Sequence, residues 1–110
     1  RAVDQSKIFS PILHNKLAKA HLITKEYNKA EVILNKSLDL YPMFHSTLAN
    51  LGGLYFDMGD IEKSRSFYER AVEINPFNPF PHMRLMTIYQ KLGWEKEKEL
   101  QTKLFGYIDH

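Results

Sequence analysis

Five histidines, His14, His21, His45, His82 and His110, are the residues of this sequence best suited to hold a metal or move a proton. His14 and His21 are seven apart, which on a helix means one face but two turns of separation. Zinc holds its ligands about 2 Å from itself, so this pair does not chelate one ion. The metalloprotease run H-E-x-x-H is absent. Asp57 and Asp60 could work as an acid–base pair, yet Asp60 follows Gly59 where a helix should start, and capping explains it. Leu51-Gly52-Gly53-Leu54 matches neither glycine pattern that cradles phosphate. There are no cysteines, so disulfides, thiolate metal ligands and cysteine nucleophiles fall away together. The run Trp94 to Glu99 carries both charge signs and reads as a solvated helix start. No catalytic constellation remains, and no enzyme activity, cofactor or metal is expected of these residues.

Composition points the same way. The chain has 110 residues, enough for one domain, with 44% hydrophobic and 25% charged residues, as in ordinary soluble domains. Its net charge of +2 and pI near 8.8 come from dispersed Lys and Arg rather than a basic block, so nucleic acid is not an expected partner. No apolar run approaches the roughly 20 residues that span a bilayer, so membrane insertion is not expected. The segment before Ile8 is too polar for a secretory signal. With no cysteine, signal or spanning segment, a cytoplasmic location is favoured. The chain starts at Arg1 rather than Met and reads as an excised fragment or processed product.

The elements that would position any site follow from a repeat. Leu17, Leu51 and Leu85 are 34 residues apart, as are His21, Tyr55 and Tyr89; Pro42 and Pro76, and Gly59 and Gly93, keep the same interval. Apolar residues recur at helical spacing within each unit. In the middle unit Leu48, Leu51 and Tyr55 form one seam, and Ile61, Tyr68 and Val72 another. Ser10-Pro11 and Asn78-Pro79 place a capping side chain before a proline at the first helical position. These signals predict helices at about 11–24, 27–40, 45–58, 61–75, 79–92 and 95–108, and no strand.

Leu48-x-x-Leu51-Gly52-x-x-Tyr55, then Ser64-x-x-x-Tyr68, Ala71 and Pro76, resembles the tetratricopeptide pattern W-x2-L-G-x2-Y…A-x3-F…P. His14, Leu17, Ala18, His21, Ala30, Leu34, Ser37 and Pro42 take matching positions in a first unit, and His82, Leu85, Met86 and Tyr89 in a third. The resemblance implies an all-α fold, a right-handed α-solenoid of three helix-turn-helix units and about six antiparallel helices. The expected divisions are residues 1–10 as a linker or tail of a preceding repeat, then units at 11–44, 45–78 and 79–110. Leu17, Ala30, Leu34, Leu51, Gly52, Tyr55, Ser64, Tyr68, Ala71, Leu85 and Tyr89 are the expected repeat-packing residues. His14, His21 and His82 occupy aromatic positions of the pattern, so a place in the packing seam is expected for them. Phe77 is expected to wedge between units.

The resemblance also implies a site. The first helix of each unit lines the concave face of such a stack. The groove positions of the family fall here on Ile12, Asn15, Lys16, Lys19, Leu22 and Ile23; on Ser46, Ala49, Asn50, Gly53, Phe56 and Asp57; and on Phe80, Met83, Arg84, Thr87, Gln90 and Lys91. Among them Asn15, Lys16, Lys19, Asn50, Phe56, Phe80, Met83, Arg84 and Lys91 are the candidate peptide-binding residues. Asparagine amides can bond a peptide backbone, and Lys and Arg can hold carboxylates. Some family members clamp the C-terminal carboxylate of a chaperone tail with Lys, Asn, Asn, Lys and Arg. Asn50 and Arg84 match that set, whereas Asn15, Lys19 and Phe80 depart from it, which favours some other extended or acidic peptide.

The two ends carry further expectations. Arg1-Ala2-Val3 resembles Arg70-Ala71-Val72, which suggests that the chain is a window on a longer array. At the other end Lys98 and Thr102 fill positions held earlier by Ala30/Ser64 and Leu34/Tyr68, so the third unit is degenerate in its second helix and reads as a cap. The sharper alternative is a patch of Trp94, Leu100, Leu104 and Phe105 through which the C-terminal helix forms a homo-oligomer. The expected function is a protein or peptide interaction module. The alternatives are a structural or self-association segment of a longer array, and repeats that serve a catalytic domain elsewhere in the parent chain.

Overall fold

A computed structural model describes residues 10–109, with side chains to residue 103. Six helices follow one another: α1 Pro11–Ile23, α2 Tyr27–Leu40, α3 His45–Met58, α4 Ile61–Ile74, α5 Pro79–Leu92 and α6 Glu95–Asp109. No strand occurs among the described residues. The Arg1-Ala2-Val3 segment lies outside them.

Local chemistry explains the starts and stops. Ser10 Oγ accepts the Leu13 N–H at 3.3 Å, Asp60 Oδ1 that of Lys63 at 3.2 Å, and Asn78 Oδ1 that of Phe80 at 3.1 Å. Each satisfies a donor that the first helical turn leaves unpaired. Helices α3 and α5 end on Gly59 and Gly93, both left-handed, at φ 87° and 74°. The equivalent position between α1 and α2 is Lys25, held at φ 62° without the freedom of glycine.

Hairpins close where their facing residues are small. Ala18 and Ala30 are both fully buried. Gly52 approaches α4 so closely that the Ser64 hydroxyl donates to its carbonyl at 2.7 Å. One apolar cluster joins Ala18, Leu34, Leu51, Leu54 and Tyr55; a second joins Tyr68, Leu85, Ile88 and Tyr89. Neighbouring hairpins are tied on the outer side as well: the Tyr55 hydroxyl donates to Glu31 at 3.0 Å and that of Tyr89 to Glu69 at 2.6 Å. Burial and these carboxylates raise both phenol pKa values.

Two packing expectations need correction. Leu17 is 47% exposed, although Leu51 and Leu85 at the same repeat position are buried. Those two face the second helix of the hairpin before them, and no described helix precedes α1. Phe77 is 82% exposed rather than wedged between units. Its N–H donates to Asn75 Oδ1 at 3.2 Å, a local turn that holds its backbone at the surface.

The last hairpin closes on polar chemistry. His82 is buried; its Nε2–H donates to the Pro76 carbonyl at 2.8 Å, and its Nδ1 meets the side-chain amide of Gln101. Gln101 is buried in α6 while Thr102 is exposed and bonds back to the Lys98 carbonyl. The inward face of α6 is thus displaced by one residue from the repeat pattern.

Candidate functional site

Helices α1, α3 and α5 stand side by side and leave a cavity of about 650 Å³ on one face of the stack. Side chains of α1 supply Ile12, Lys16, Lys19, Leu22 and Ile23 to it, and α3 supplies Ala49, Asn50, Gly53 and Asp57. Phe80 and Arg84 of α5 close the third side. Three cations, Lys16, Lys19 and Arg84, line it with one carboxylate, Asp57, so the lining is positively charged on balance.

Asn50 is held in place from behind. Its Nδ2 donates to Asn15 Oδ1 at 3.0 Å. Asn15 in turn donates through Nδ2 to Thr47 Oγ1 at 2.8 Å and to the Pro11 carbonyl at 2.7 Å. Ser37 completes the cluster, its hydroxyl 2.8 Å from that of Thr47. Asn15 is 4% exposed: it lines the cavity while its amide N–H groups are spent on these neighbours. With its Nδ2 engaged, Asn50 has its Oδ1 unbonded among the described residues.

Arg84 is held by aromatic faces. Its guanidinium lies 4.7 Å from the Phe56 ring centroid and 5.4 Å from that of Phe80. It takes part in none of the described ion pairs. Phe56 is half-buried beneath it and joins the second apolar cluster, so it supports the cavity wall without lining it. Met83 and Lys91 are exposed and lie off the cavity lining. The structure thus brings together Asn15, Lys16, Lys19, Asn50, Phe80 and Arg84 of the nine candidates.

Three lining residues escaped the repeat positions: Phe44, His45 and Asn78. His45 Nδ1–H donates to the Ala71 carbonyl at 3.1 Å, and Asn78 Nδ2 donates to His45 Nε2 at 2.9 Å. Both residues sit where one hairpin follows another. The only signal for them is the capping role of Asn78.

The remaining candidates do not gather elsewhere. Among the described residues no three His, Asp or Glu side chains come close enough to hold a metal ion. Trp94 is engaged rather than free: it stacks on Tyr89 at 5.9 Å, with the Arg65 guanidinium 4.8 Å from its ring. Leu100 is 56% exposed, while the side chains of Leu104 and Phe105 lie outside the described residues. No described helix is long and apolar enough to cross a membrane.

The tetratricopeptide repeat model matches residues 12–42 and 45–78. The chain belongs to the tetratricopeptide repeat family. A TPR repeat-containing protein, MJ1428 of Methanocaldococcus jannaschii, is 32% identical over 78 residues, covering 69% of this chain and 13% of that protein. The chain therefore spans only a small part of this relative. Among solved structures, MamA superposes with a TM-score of 0.83 at 21% identity, over 91% of this chain and 58% of that one. The first TPR of Spaghetti (RPAP3), bound to the HSP90 peptide SRMEEVD, gives 0.82 at 17% identity, over 96% and 82%. A CopN–Scc3 complex gives 0.80 at 18%, over 94% and 65%. At these identities the likeness is one of fold: an all-α TPR solenoid.

Proposed function

We propose that this TPR segment is a non-catalytic protein-interaction module that holds an extended segment of a partner protein along α1, α3 and α5. The observation that carries this reading is the cavity itself, where three cations and the Asn50 amide meet apolar walls from Ile12, Leu22 and Phe80. An extended peptide offers what such a lining lacks: backbone donors for Asn50 Oδ1, carboxylates for the cations and apolar side chains for the walls. The TPR of RPAP3, similar in fold, holds an acidic peptide, which supports the same class of guest here.

The test is fluorescence anisotropy with labelled synthetic octapeptides, comparing the wild-type chain with the Asn50→Ala/Arg84→Ala double variant. Both positions are partly exposed, so circular dichroism should show the helices retained. Loss of two charge-assisted or amide bonds, at about 1–3 kcal/mol each, predicts weakening by tenfold or more. Unchanged affinity would remove the cavity as the binding site.

A further inference from the structure

Tyr68 belongs to α4, in the layer of helices behind the cavity, and its ring is fully buried. A Cβ on Gly52 would lie 2.8 Å from three of its ring carbons. The ring continues beneath the next residue, where a Cβ on Gly53 would lie 3.4 Å from the Tyr68 hydroxyl oxygen. Gly53 lines the cavity. So does Phe80, whose ring meets Tyr68 edge-on at 6.1 Å between centroids. The charges of Arg84 and Asp57, two more lining residues, both act on the phenol.

The Tyr68 hydroxyl is buried and has no hydrogen-bond partner among the described residues. Such a group lowers stability relative to an apolar one of the same shape, and the repeat pattern carries Phe at this position. Burial pushes the phenol up to about 12, so at neutral pH the group is a donor in want of an acceptor. Arg84 beside it carries guanidinium donors that no described ion pair uses. The nearby carboxylate, Asp57, pairs with neither.

We propose that Tyr68 is a ligand-recognition residue: its hydroxyl and the Arg84 guanidinium form a subsite for one carboxylate side chain of a bound peptide. The carboxylate reaches the hydroxyl where Gly53 leaves α3 without a side chain, and half-exposed Phe80 is the ring that turns aside to admit it. The inference rests on the peptide-binding reading of the cavity and names the chemistry of one of its contacts.

The probe is an array of labelled octapeptide amides in which Glu or Asp is walked through a Ser/Ala/Leu background. Each acidic peptide is paired with its Gln or Asn counterpart, and the terminal amides remove any C-terminal carboxylate. The wild-type chain should prefer an acid at one position by tenfold or more over its amide. Tyr68→Phe and Gly53→Ala should each reduce that preference to threefold or less while raising Tm. A higher Tm with the acid preference intact would make the hydroxyl a structural defect only and overturn the proposal. Equal binding of acids and amides by the wild type would sink the subsite but leave peptide binding standing. No binding to any peptide by the wild type would overturn both.

Discussion

Gly52 and Gly53 are neighbours in the middle of α3, and replacing each by alanine should move stability in opposite directions. Glycine inside a helix costs roughly 1 kcal/mol relative to alanine, so both substitutions start with that gain. At Gly53 the new methyl meets only the Tyr68 hydroxyl oxygen, at 3.4 Å, an ordinary contact. Most of the gain should survive, and Tm should rise by about 4 °C. At Gly52 the methyl would sit 2.8 Å from Cγ, Cδ1 and Cε1 of a ring with no exposure and no room to swing. Either the ring or the α3–α4 crossing must give way, at about 1–3 kcal/mol. The Ser64 hydroxyl, bonded to the Gly52 carbonyl at 2.7 Å, resists separation of the two helices. Gly52→Ala should therefore be less stable than wild type by up to about 2 kcal/mol, despite its better helix propensity. Urea unfolding followed by far-ultraviolet circular dichroism resolves differences of this size. If Gly52→Ala matched Gly53→Ala in stability, close approach at the crossing would not be what selects glycine at that position.

Leu51→Ala, at a fully buried site, should cost about 2–5 kcal/mol in urea unfolding, whereas Leu17→Ala at the same repeat position, 47% exposed, should cost under about 1 kcal/mol. Asn15→Ala should cost about 1–3 kcal/mol by leaving the Ser37 and Thr47 hydroxyls short of a partner, and it should weaken peptide binding through loss of the Asn50 support. Glu26 is held down to about 2 by the Thr24 hydroxyl first, then by His21 and Lys29. A carboxylate with a lowered folded-state pKa contributes stability above its unfolded value of 4.5 that is lost as pH falls toward 2. Thermal unfolding should show Glu26→Gln less stable than wild type at pH 7, with the difference closing across that window. If the gap persisted at pH 2, the carboxylate charge would not be its cause.

The helices were legible because the repeat and the caps signal the same boundaries. A 34-residue interval kept by Leu, Tyr, Pro and Gly sets the phase, and Ser10, Asp60 and Asn78 mark helix starts by chemistry that needs no tertiary context. The groove positions of α1 and α3 came from the resemblance to the repeat family rather than from periodicity, and all of them but Phe56 line the cavity. What stayed hidden depends on contacts across the stack. The fate of Asn15 turns on Ser37 and Thr47, which lie 22 and 32 residues away and reveal nothing at their own positions. Leu17 is exposed where Leu51 and Leu85 pack on the second helix of the preceding hairpin, a difference that no property of leucine announces. Phe56 and Arg84 form a stacked pair across two units, so Phe56 reads as groove from its position yet serves as a platform. Phe77 is placed by a turn, and turn geometry follows Asn75 rather than the hydrophobicity of the aromatic residue.

These cross-stack contacts matter for how the cavity would recognise a guest. Two of its polar groups are not loose side chains on one helix. Asn50 of α3 is fixed by Asn15 of α1, and Arg84 of α5 rests on Phe56 of α3. Each of these two is held by the unit before it, so little of its side-chain freedom remains to be lost on binding, where about 0.5–1.5 kcal/mol per ordered side chain would otherwise oppose association. The same arrangement ties recognition to the stack. A change behind the cavity, such as Leu85→Ala in the cluster that α5 forms with Tyr68 of α4, should loosen the guanidinium from the Phe56 ring and weaken binding as well as folding. Leu34→Ala, buried in the first hairpin, should cost stability of a similar size while leaving the Arg84 side intact. Comparing the two at temperatures where both remain folded separates the contributions. Equal peptide affinity in both variants would mean that the packing of α5 on α4 does not position Arg84.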